Sequence, residues 1–229
     1  MQAYSLHPRM LINTIRPMQL KEIKRMYRLY MNGIVSSSMR EKGAGYRVNF
    51  GLTLPLLTKI AEQIPPSVAI AEELWNDCGV RESMLLAPMV FPAELCQPAD
   101  AQRWVTSIPN VEVSDFCCKF LFSRLPYATS LATQWTVTPQ KIVAYTGFRL
   151  ACAILSDDVD SEWLSYIADN AIIKAYNNDN ISSSSARNFL IEALLLPHAG
   201  SIVVKLLQEN VVIDNKWREN LIAIYNEEC

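Results

Sequence analysis

The sequence predicts an all-α protein in which antiparallel helix pairs stack into an α–α superhelix, a curved solenoid. The strongest indication is a repeat of four tryptophans, Trp75, Trp104, Trp135 and Trp163, whose spacing is nearly constant along the chain. A second indication is apolar spacing typical of helices, with almost none of the alternation typical of strands. The third is composition, because half of the 229 residues are hydrophobic and only 7 are Gly, which favours a substantial core.

The tryptophan repeat extends to neighbouring residues. An alanine precedes three of the tryptophans by three or four positions, at Ala71, Ala101 and Ala132. A period of roughly 30 residues indicates helix pairs that bury their apolar faces only against neighbouring pairs. The alternative is that four core tryptophans share this spacing by chance.

Proline and capping residues predict where the helices begin. Thr53, Ser67 and Thr138 each stand close to a proline, as residues at a helix start often do. Together with the apolar spacing, these signals predict helices over 18–34, 36–44, 53–64, 67–77, 80–91, 99–107, 114–125, 127–135, 139–155, 160–177, 184–196, 198–209 and 214–226. The connectors at 156–158 and 177–185 are short, which favours one array over separate domains.

The predicted array is a single domain over residues 1–229, with residues 1–15 as a flexible N-terminal segment. No apolar run reaches the roughly 20 residues of a membrane span, because Pro88 and Pro92 interrupt the most hydrophobic region. The start of the chain lacks the apolar centre of a signal peptide. We therefore expect a cytoplasmic monomer with no membrane partner.

The cysteine and histidine pattern argues against a metal site. The six cysteines have no CxxC spacing, and the two histidines, His7 and His198, have no ligand spacing. Most of the cysteines stand in apolar helical surroundings, where free buried thiols are common. We expect free thiols, no disulfide framework, no metal and no organic cofactor.

The formal net charge of −2 conceals an uneven distribution. From the start of the chain through Lys59 there are ten Lys or Arg against two Glu, whereas the remainder holds eleven against twenty-one Asp or Glu. In the segment 20–34, apolar side chains fall at helical spacing and four cations occupy the other side, at Lys21, Lys24, Arg25 and Arg28. Two interpretations stay open: a phosphate-binding surface or the solvated face of a helix.

Several segments occur in the order found in a known family. They are the run 46–55, Leu74-Trp75, the run 80–87, the turn from Asn110 to Asp115, and Trp135 followed by Thr146-Gly147-Phe148. Over roughly residues 40–200, the chain resembles AlkD-like DNA alkylation repair proteins.

The resemblance implies HEAT-like helical repeats that form a curved shell, with duplex DNA held on a concave basic face. It also implies a DNA glycosylase of the 3-methyladenine and 7-methylguanine type, which removes cationic N3- or N7-alkylated purines without metal or cofactor. Because the alkylated purine is already a good leaving group, a carboxylate beside the sugar need only stabilise the developing oxocarbenium charge and orient water.

Matched to this family, the catalytic carboxylate falls on Asp115. The residues alone favour another role, since Ser114 or Asp115 would also cap the start of a helix. The chain departs from the family at three positions: Val111 replaces a Trp, Tyr145 replaces an Arg, and a second Trp is missing near residue 191 or 192. The active site implied by the resemblance is therefore degenerate.

Basic and aromatic residues around Asp115 are the predicted DNA contacts. Arg149, one helical turn beyond Tyr145, or Arg187 would supply the missing cation. The predicted set is Lys119, Arg124, Tyr145, Arg149 and Arg187.

Three functions remain open from the sequence. The first is DNA alkylation repair, with double-stranded DNA as the partner. The second is DNA binding without chemistry, for example to bent or branched DNA. The third is a protein-interaction scaffold, which the acidic balance after residue 60 favours.

Overall fold

The computed structural model describes residues 18–43, 45–177, 181–210 and 214–228. In these residues it contains two 3₁₀ turns, Ala93–Leu95 and Phe122–Arg124, and thirteen α-helices: α1 Leu20–Leu29, α2 Gly33–Glu41, α3 Leu54–Ala61, α4 Val68–Asn76, α5 Arg81–Val90, α6 Pro98–Ser107, α7 Val111–Phe120, α8 Ala128–Thr136, α9 Lys141–Ile154, α10 Ser161–Asn177, α11 Ile181–Leu194, α12 Pro197–Glu209 and α13 Asn215–Glu228. The predicted N-terminal segment 1–15 lies outside the described residues.

From α4 onward, the helices stack in two layers, and α4 packs against α5, α8 against α9, α10 against α11 and α12 against α13. Helix α6 instead packs against α9. The second layer consists of α5, α7, α9, α11 and α13, and each of these helices packs against the next one. The first layer consists of α4, α6, α8, α10 and α12. Here α8 packs against α10, and α10 against α12. The prediction of an all-α array of helix pairs is confirmed.

The repeated tryptophans lie on first-layer helices and join them. The indole N–H groups of three of them donate hydrogen bonds to the preceding first-layer helix, in the pairs Trp104–Glu72 (3.0 Å), Trp135–Gln102 (2.9 Å) and Trp163–Thr133 (3.1 Å). Trp75 instead stacks on Trp104, with ring centroids 4.1 Å apart. The four tryptophans therefore mark equivalent positions in successive pairs rather than a chance spacing.

The beginning of the described chain differs from the predicted helix over 18–34. Helix α1 ends at Leu29, and α2 starts at Gly33 because the Asn32 side chain accepts a hydrogen bond from the backbone N–H of Val35. Ile34, which falls on the apolar face of the predicted helix, is 85% exposed. The apolar spacing over 20–34 therefore spans two helices, because α1 ends at Leu29 and Asn32 caps α2.

A buried carboxylate fastens the loop between α2 and α3 to α5. Glu82 is fully buried and accepts hydrogen bonds from the backbone N–H groups of Phe50 (3.1 Å) and Leu52 (3.3 Å). The adjacent Arg81 donates to the Leu52 carbonyl oxygen and forms an ion pair with Glu112 of α7. Buried charges are tolerated here because each is paired and hydrogen-bonded.

Helix α9 begins two residues later than Thr138 and its proline suggest. Its first residue is Lys141, and Gln140 takes the position before the helix. Gly147 brings α9 close to α8, since a Cβ atom there would lie 2.6 Å from the backbone nitrogen of Thr136. The absence of a side chain at Gly147 therefore sets the α8–α9 distance beside the site described next.

The described cysteines, Cys78, Cys96, Cys117, Cys118 and Cys152, carry free thiols. Cys96, Cys117 and Cys118 are buried and Cys152 is partly buried, whereas Cys78 is exposed. In the described residues there is no group of three or more His, Cys, Asp or Glu side chains that could hold a metal ion. Among these described residues, each helix is too short or too polar to span a membrane.

Candidate functional site

Helix α7 positions Asp115 one turn inside the helix rather than at its cap. Asn110 is the N-cap, and its side chain accepts a hydrogen bond from the backbone N–H of Val113 at 3.1 Å. Ser114 is fully buried, and its hydroxyl lies 2.8 Å from that of Thr146 on α9. The expectation that Ser114 or Asp115 caps this helix is wrong. Because Ser114 faces the neighbouring helix, the next residue, Asp115, turns toward solvent.

Two residues of α9 hold one oxygen of the Asp115 carboxylate. The Tyr145 hydroxyl donates to Asp115 Oδ1 at 3.0 Å, and Arg149 Nε donates to the same oxygen at 2.9 Å. Tyr145 and Arg149 lie four residues apart and thus on one face of α9. Because both donors come from the neighbouring helix, α7 and α9 together fix the carboxylate.

A third helix extends this charged row. Glu192 of α11 places Oε1 4.0 Å from Arg149 Nη1, at the limit of an ion pair. The Arg149 side chain is 29% exposed, that of Asp115 40% and that of Glu192 48%. The arginine is therefore held between two partly exposed carboxylates, one on each neighbouring second-layer helix.

These residues line an open cleft of about 320 Å³ between α7, α9 and α11. Its lining is made of Asp115, Cys118, Lys119, Ser123, Arg149, Cys152, Ala153 and Glu192. The charges of Lys119 and Arg149 balance those of Asp115 and Glu192. The cleft is therefore polar and close to electrically neutral, not strongly basic as the resemblance implies.

The ionisation of Arg149 and Tyr145 follows from their contact with Asp115. Burial acts to lower the pKa of Arg149, but the charge of Asp115 and its hydrogen bond outweigh that effect and raise it. Burial, followed by the charge of Asp115, raises the pKa of Tyr145 above its ordinary value. At neutral pH, Arg149 is thus a fixed cation and Tyr145 a neutral hydrogen-bond donor.

The two cysteines in the cleft are poor nucleophiles. Burial raises the pKa of Cys118, and the charge of Asp115 raises it further. Burial and the nearby Glu192 raise the pKa of Cys152 to about 12. Because the thiolate is the reactive form, neither thiol is activated at neutral pH.

The other predicted DNA contacts do not all meet at the cleft. Lys119 lines it and is exposed, with Nζ 5.5 Å from the ring centroid of Phe120. Arg124 is exposed and donates to the backbone carbonyl of Phe120, so its guanidinium turns back over the end of α7. Arg187 is exposed on α11, but it lies roughly 140° around the helix from Glu192 and is absent from the lining.

Sequence reasoning noted Glu192 only as the position of a missing tryptophan and missed its role beside Arg149. Ser123 and Cys152 were also missed as lining residues. The available signal was helical spacing on α9, because Tyr145, Arg149 and Cys152 recur at intervals of four and three residues on one face. No comparable signal singles out Ser123.

The position of the first missing tryptophan lies outside this cleft. Val111 is 40% exposed at the start of α7 and lines a separate groove with Met39, Tyr46 and Glu112. None of the described residues that line the cleft of Asp115 is a tryptophan, and the phenol of Tyr145 reaches Asp115 from behind the lining.

Comparisons with known proteins agree with this architecture. No protein-family model matches the chain, and no curated protein matches it in sequence. A solved structure described as "A new family of proteins related to the HEAT-like repeat DNA glycosylases with affinity for branched DNA structures" is similar with a TM-score of 0.77 and 17% identity. The similarity covers 92% of this chain and 95% of that chain. At this identity it establishes a HEAT-like repeat fold.

Proposed function

We propose that the protein binds double-stranded DNA at the cleft of Asp115 and prefers branched or strongly bent DNA to linear duplex. The similar structure belongs to a family described by its affinity for branched DNA, and the similarity extends over nearly all of both chains. The cleft is open, and its lining residues stand on three neighbouring helices, so a DNA backbone has access to them. This is the non-catalytic alternative considered from the sequence.

The observation that carries the proposal is the state of Arg149. Its Nε is engaged by Asp115 at 2.9 Å, which fixes the plane of the guanidinium. Its Nη1 is 4.0 Å from Glu192, too far for a hydrogen bond. Among the described residues, no hydrogen bond engages Nη1 or Nη2 of Arg149. The guanidinium is thus oriented, and these nitrogens can donate to a phosphate oxygen.

The same contact argues against efficient base excision. Stabilising an oxocarbenium-like sugar requires an uncompensated negative charge next to it. Here Arg149 and Tyr145 both donate to Asp115 Oδ1, so much of the carboxylate charge is already compensated. We assign Asp115 the role of positioning Arg149 rather than that of a catalytic group.

DNA alkylation repair by a glycosylase is the second candidate. The observation that favours it is the exposure of the Asp115 side chain, 40%, in an open cleft at the position that the resemblance assigns. A phosphate that drew Arg149 away would leave this carboxylate free.

Binding is tested by fluorescence anisotropy with a labelled four-way junction and a linear duplex of the same length. The wild-type protein should bind the junction more tightly than the duplex. Arg149→Ala should weaken junction binding roughly tenfold, because a charge-assisted hydrogen bond to phosphate is worth about 1.5 kcal/mol. Lys205→Ala, an exposed cation on α12, serves as the control and should bind like the wild type. If neither DNA binds even at low salt, the proposal is wrong and the protein scaffold becomes the better interpretation.

Excision is tested with methylated duplex DNA by measuring release of 7-methylguanine and 3-methyladenine. The proposed function predicts no release above the uncatalysed rate. Release by the wild type that Asp115→Asn abolishes, with DNA affinity unchanged, would establish the second candidate instead.

A further inference from the structure

Positive charge is concentrated at the N-terminal end of the array, not at the cleft. Residues 18–59 hold eight Lys or Arg against two Glu. At the cleft, by contrast, Lys119 and Arg149 are balanced by Asp115 and Glu192. Since affinity for a nucleic acid backbone comes mainly from uncompensated cations, the cleft alone supplies little of it.

Helix α1 presents part of this charge in an ordered row. Lys21, Arg25 and Arg28 are exposed at intervals of four and three residues, so they form one stripe along the helix. We call these three residues the α1 stripe. It lies roughly 150° around the helix from the fully buried Ile23 and Tyr27.

The fourth cation of this helix belongs to the fold. Lys24 Nζ forms an ion pair with Asp77 at 2.8 Å, which ties α1 to the end of α4. Within the described part of the chain, no ion pair engages a residue of the α1 stripe. The helix is therefore anchored on one side, and its remaining cations stay available on the other.

We infer that the α1 stripe is a second phosphate-binding surface, which contacts a duplex arm that leaves the cleft toward the N-terminal end. This inference rests on the proposed function and adds a contact site to it. The partner class is the sugar–phosphate backbone of duplex DNA, read without base specificity, because the stripe offers only charge and flexible donors.

The distance between the two surfaces fits a single DNA molecule. Tyr27 of α1 contacts Ser83 of α5, and α5 packs against α7, which carries Asp115. Two interhelical spacings correspond to roughly 20 Å, or about six base pairs along a duplex. This estimate joins the helix axes, and the α1 stripe lies on the side of α1 away from α5. We therefore expect an arm that bends away from the cleft toward the N-terminal end to contact the stripe more readily than a straight duplex does.

The test compares the Arg25→Ala and Arg28→Ala double variant with the wild type, using the four-way junction and the linear duplex at several salt concentrations. Each lost phosphate contact lowers the slope of log affinity against log salt by about 0.9, so the slope should fall by roughly two. Junction affinity near 0.1 M salt should drop about tenfold. Alanine preserves the helix, and circular dichroism checks this.

The matched control is the Lys205→Ala and Lys216→Ala double variant, which removes the same charge from exposed positions on α12 and α13. It should keep the wild-type slope. The inference is wrong if the wild type binds DNA and the two double variants lose the same amount of affinity. It is also wrong if the wild type binds and neither double variant loses affinity. In both cases the proposed function stands. If the wild type binds no DNA, the proposed function itself fails.

Discussion

The tryptophan contacts of the first layer and the cleft of the second layer join neighbouring helices in different ways. In the first layer, the ring of Trp104 is 1% exposed, stacks on Trp75 and donates to Glu72. An ion pair between Arg103 and Glu72 lies beside it. At the cleft of the second layer, the ion pair of Arg149 and Asp115 links α9 to α7, and the two side chains are 29% and 40% exposed. Burial of an aromatic ring stabilises a fold strongly, whereas a partly exposed ion pair contributes little.

This difference separates stability from recognition within one repeat. In the first layer, the stacked rings of Trp75 and Trp104, which are 5% and 1% exposed, hold α4 and α6 in register. At the cleft, by contrast, the second layer keeps partly exposed polar groups, which gain little for the fold but are oriented for a ligand. The following predictions test that separation.

The largest loss of stability should come from the first layer. Trp104→Ala removes a stacked and edge-packed ring that contacts Trp75 and Phe91. It should lower the free energy of unfolding by about 3–5 kcal/mol, measured by urea unfolding followed by circular dichroism. Trp104→Phe keeps most of the apolar volume and should cost clearly less. Equal effects of the two variants would show that the hydrogen bond to Glu72, not the packing, matters.

A smaller loss should follow from separating the layers at the site. Gly147→Ala places a Cβ atom 2.6 Å from the Thr136 backbone nitrogen and forces α8 and α9 apart. We expect a loss of about 1–3 kcal/mol, together with weaker junction binding because α9 carries Arg149. Gly45→Ala is a control, since no atom lies within 4 Å of a Cβ built there. Normal junction binding by folded Gly147→Ala protein would show that the cleft tolerates movement of α9.

The second-layer ion pair should contribute less still. Asp115→Asn should change the free energy of unfolding by about 0.2–1 kcal/mol, since both partners are partly exposed. A double-mutant cycle with Arg149→Ala measures the coupling between the two side chains. A coupling of several kcal/mol would mean that the second layer is structural in the same sense as the first.

The smallest effect is a pH dependence from Tyr145. Its raised pKa means that the folded protein keeps the phenol proton at a pH where the unfolded chain loses it. The stability from this group is complete below the ordinary tyrosine pKa near 10 and is lost as pH rises beyond it. Tyr145→Phe should therefore reduce the fall in stability between pH 8 and 10 by roughly 0.4 kcal/mol. Unfolding curves of both proteins at each pH provide the measurement, and identical pH profiles would contradict the assignment.

The resemblance implied a basic concave face around a catalytic carboxylate. The structure brings several of the predicted residues together, but the charges at the cleft balance. Asp115, Tyr145, Arg149 and Lys119 do come together. The near-neutral charge of the cleft was not foreseen, because it depends on Glu192 of α11, which is distant from Asp115 in the chain and meets Arg149 only in the folded array.

The sequence by itself determined the class of fold and the repeat. Apolar spacing and the tryptophan period specify helices and their pairing, since both are set by residues within one or two helical units. Local signals failed where a single polar side chain decides a boundary, as Asn32 does before α2 and Asn110 before α7.

Only the tertiary structure decided which side chains meet. The row from Asp115 through Arg149 to Glu192 crosses three second-layer helices, and its contacts depend on the rotation and register of each helix against the next. Small side chains and close approaches such as Gly147 against Thr136 set that register. The register of the helices therefore depends on packing between repeats, and the spacing of residues within one repeat does not specify it.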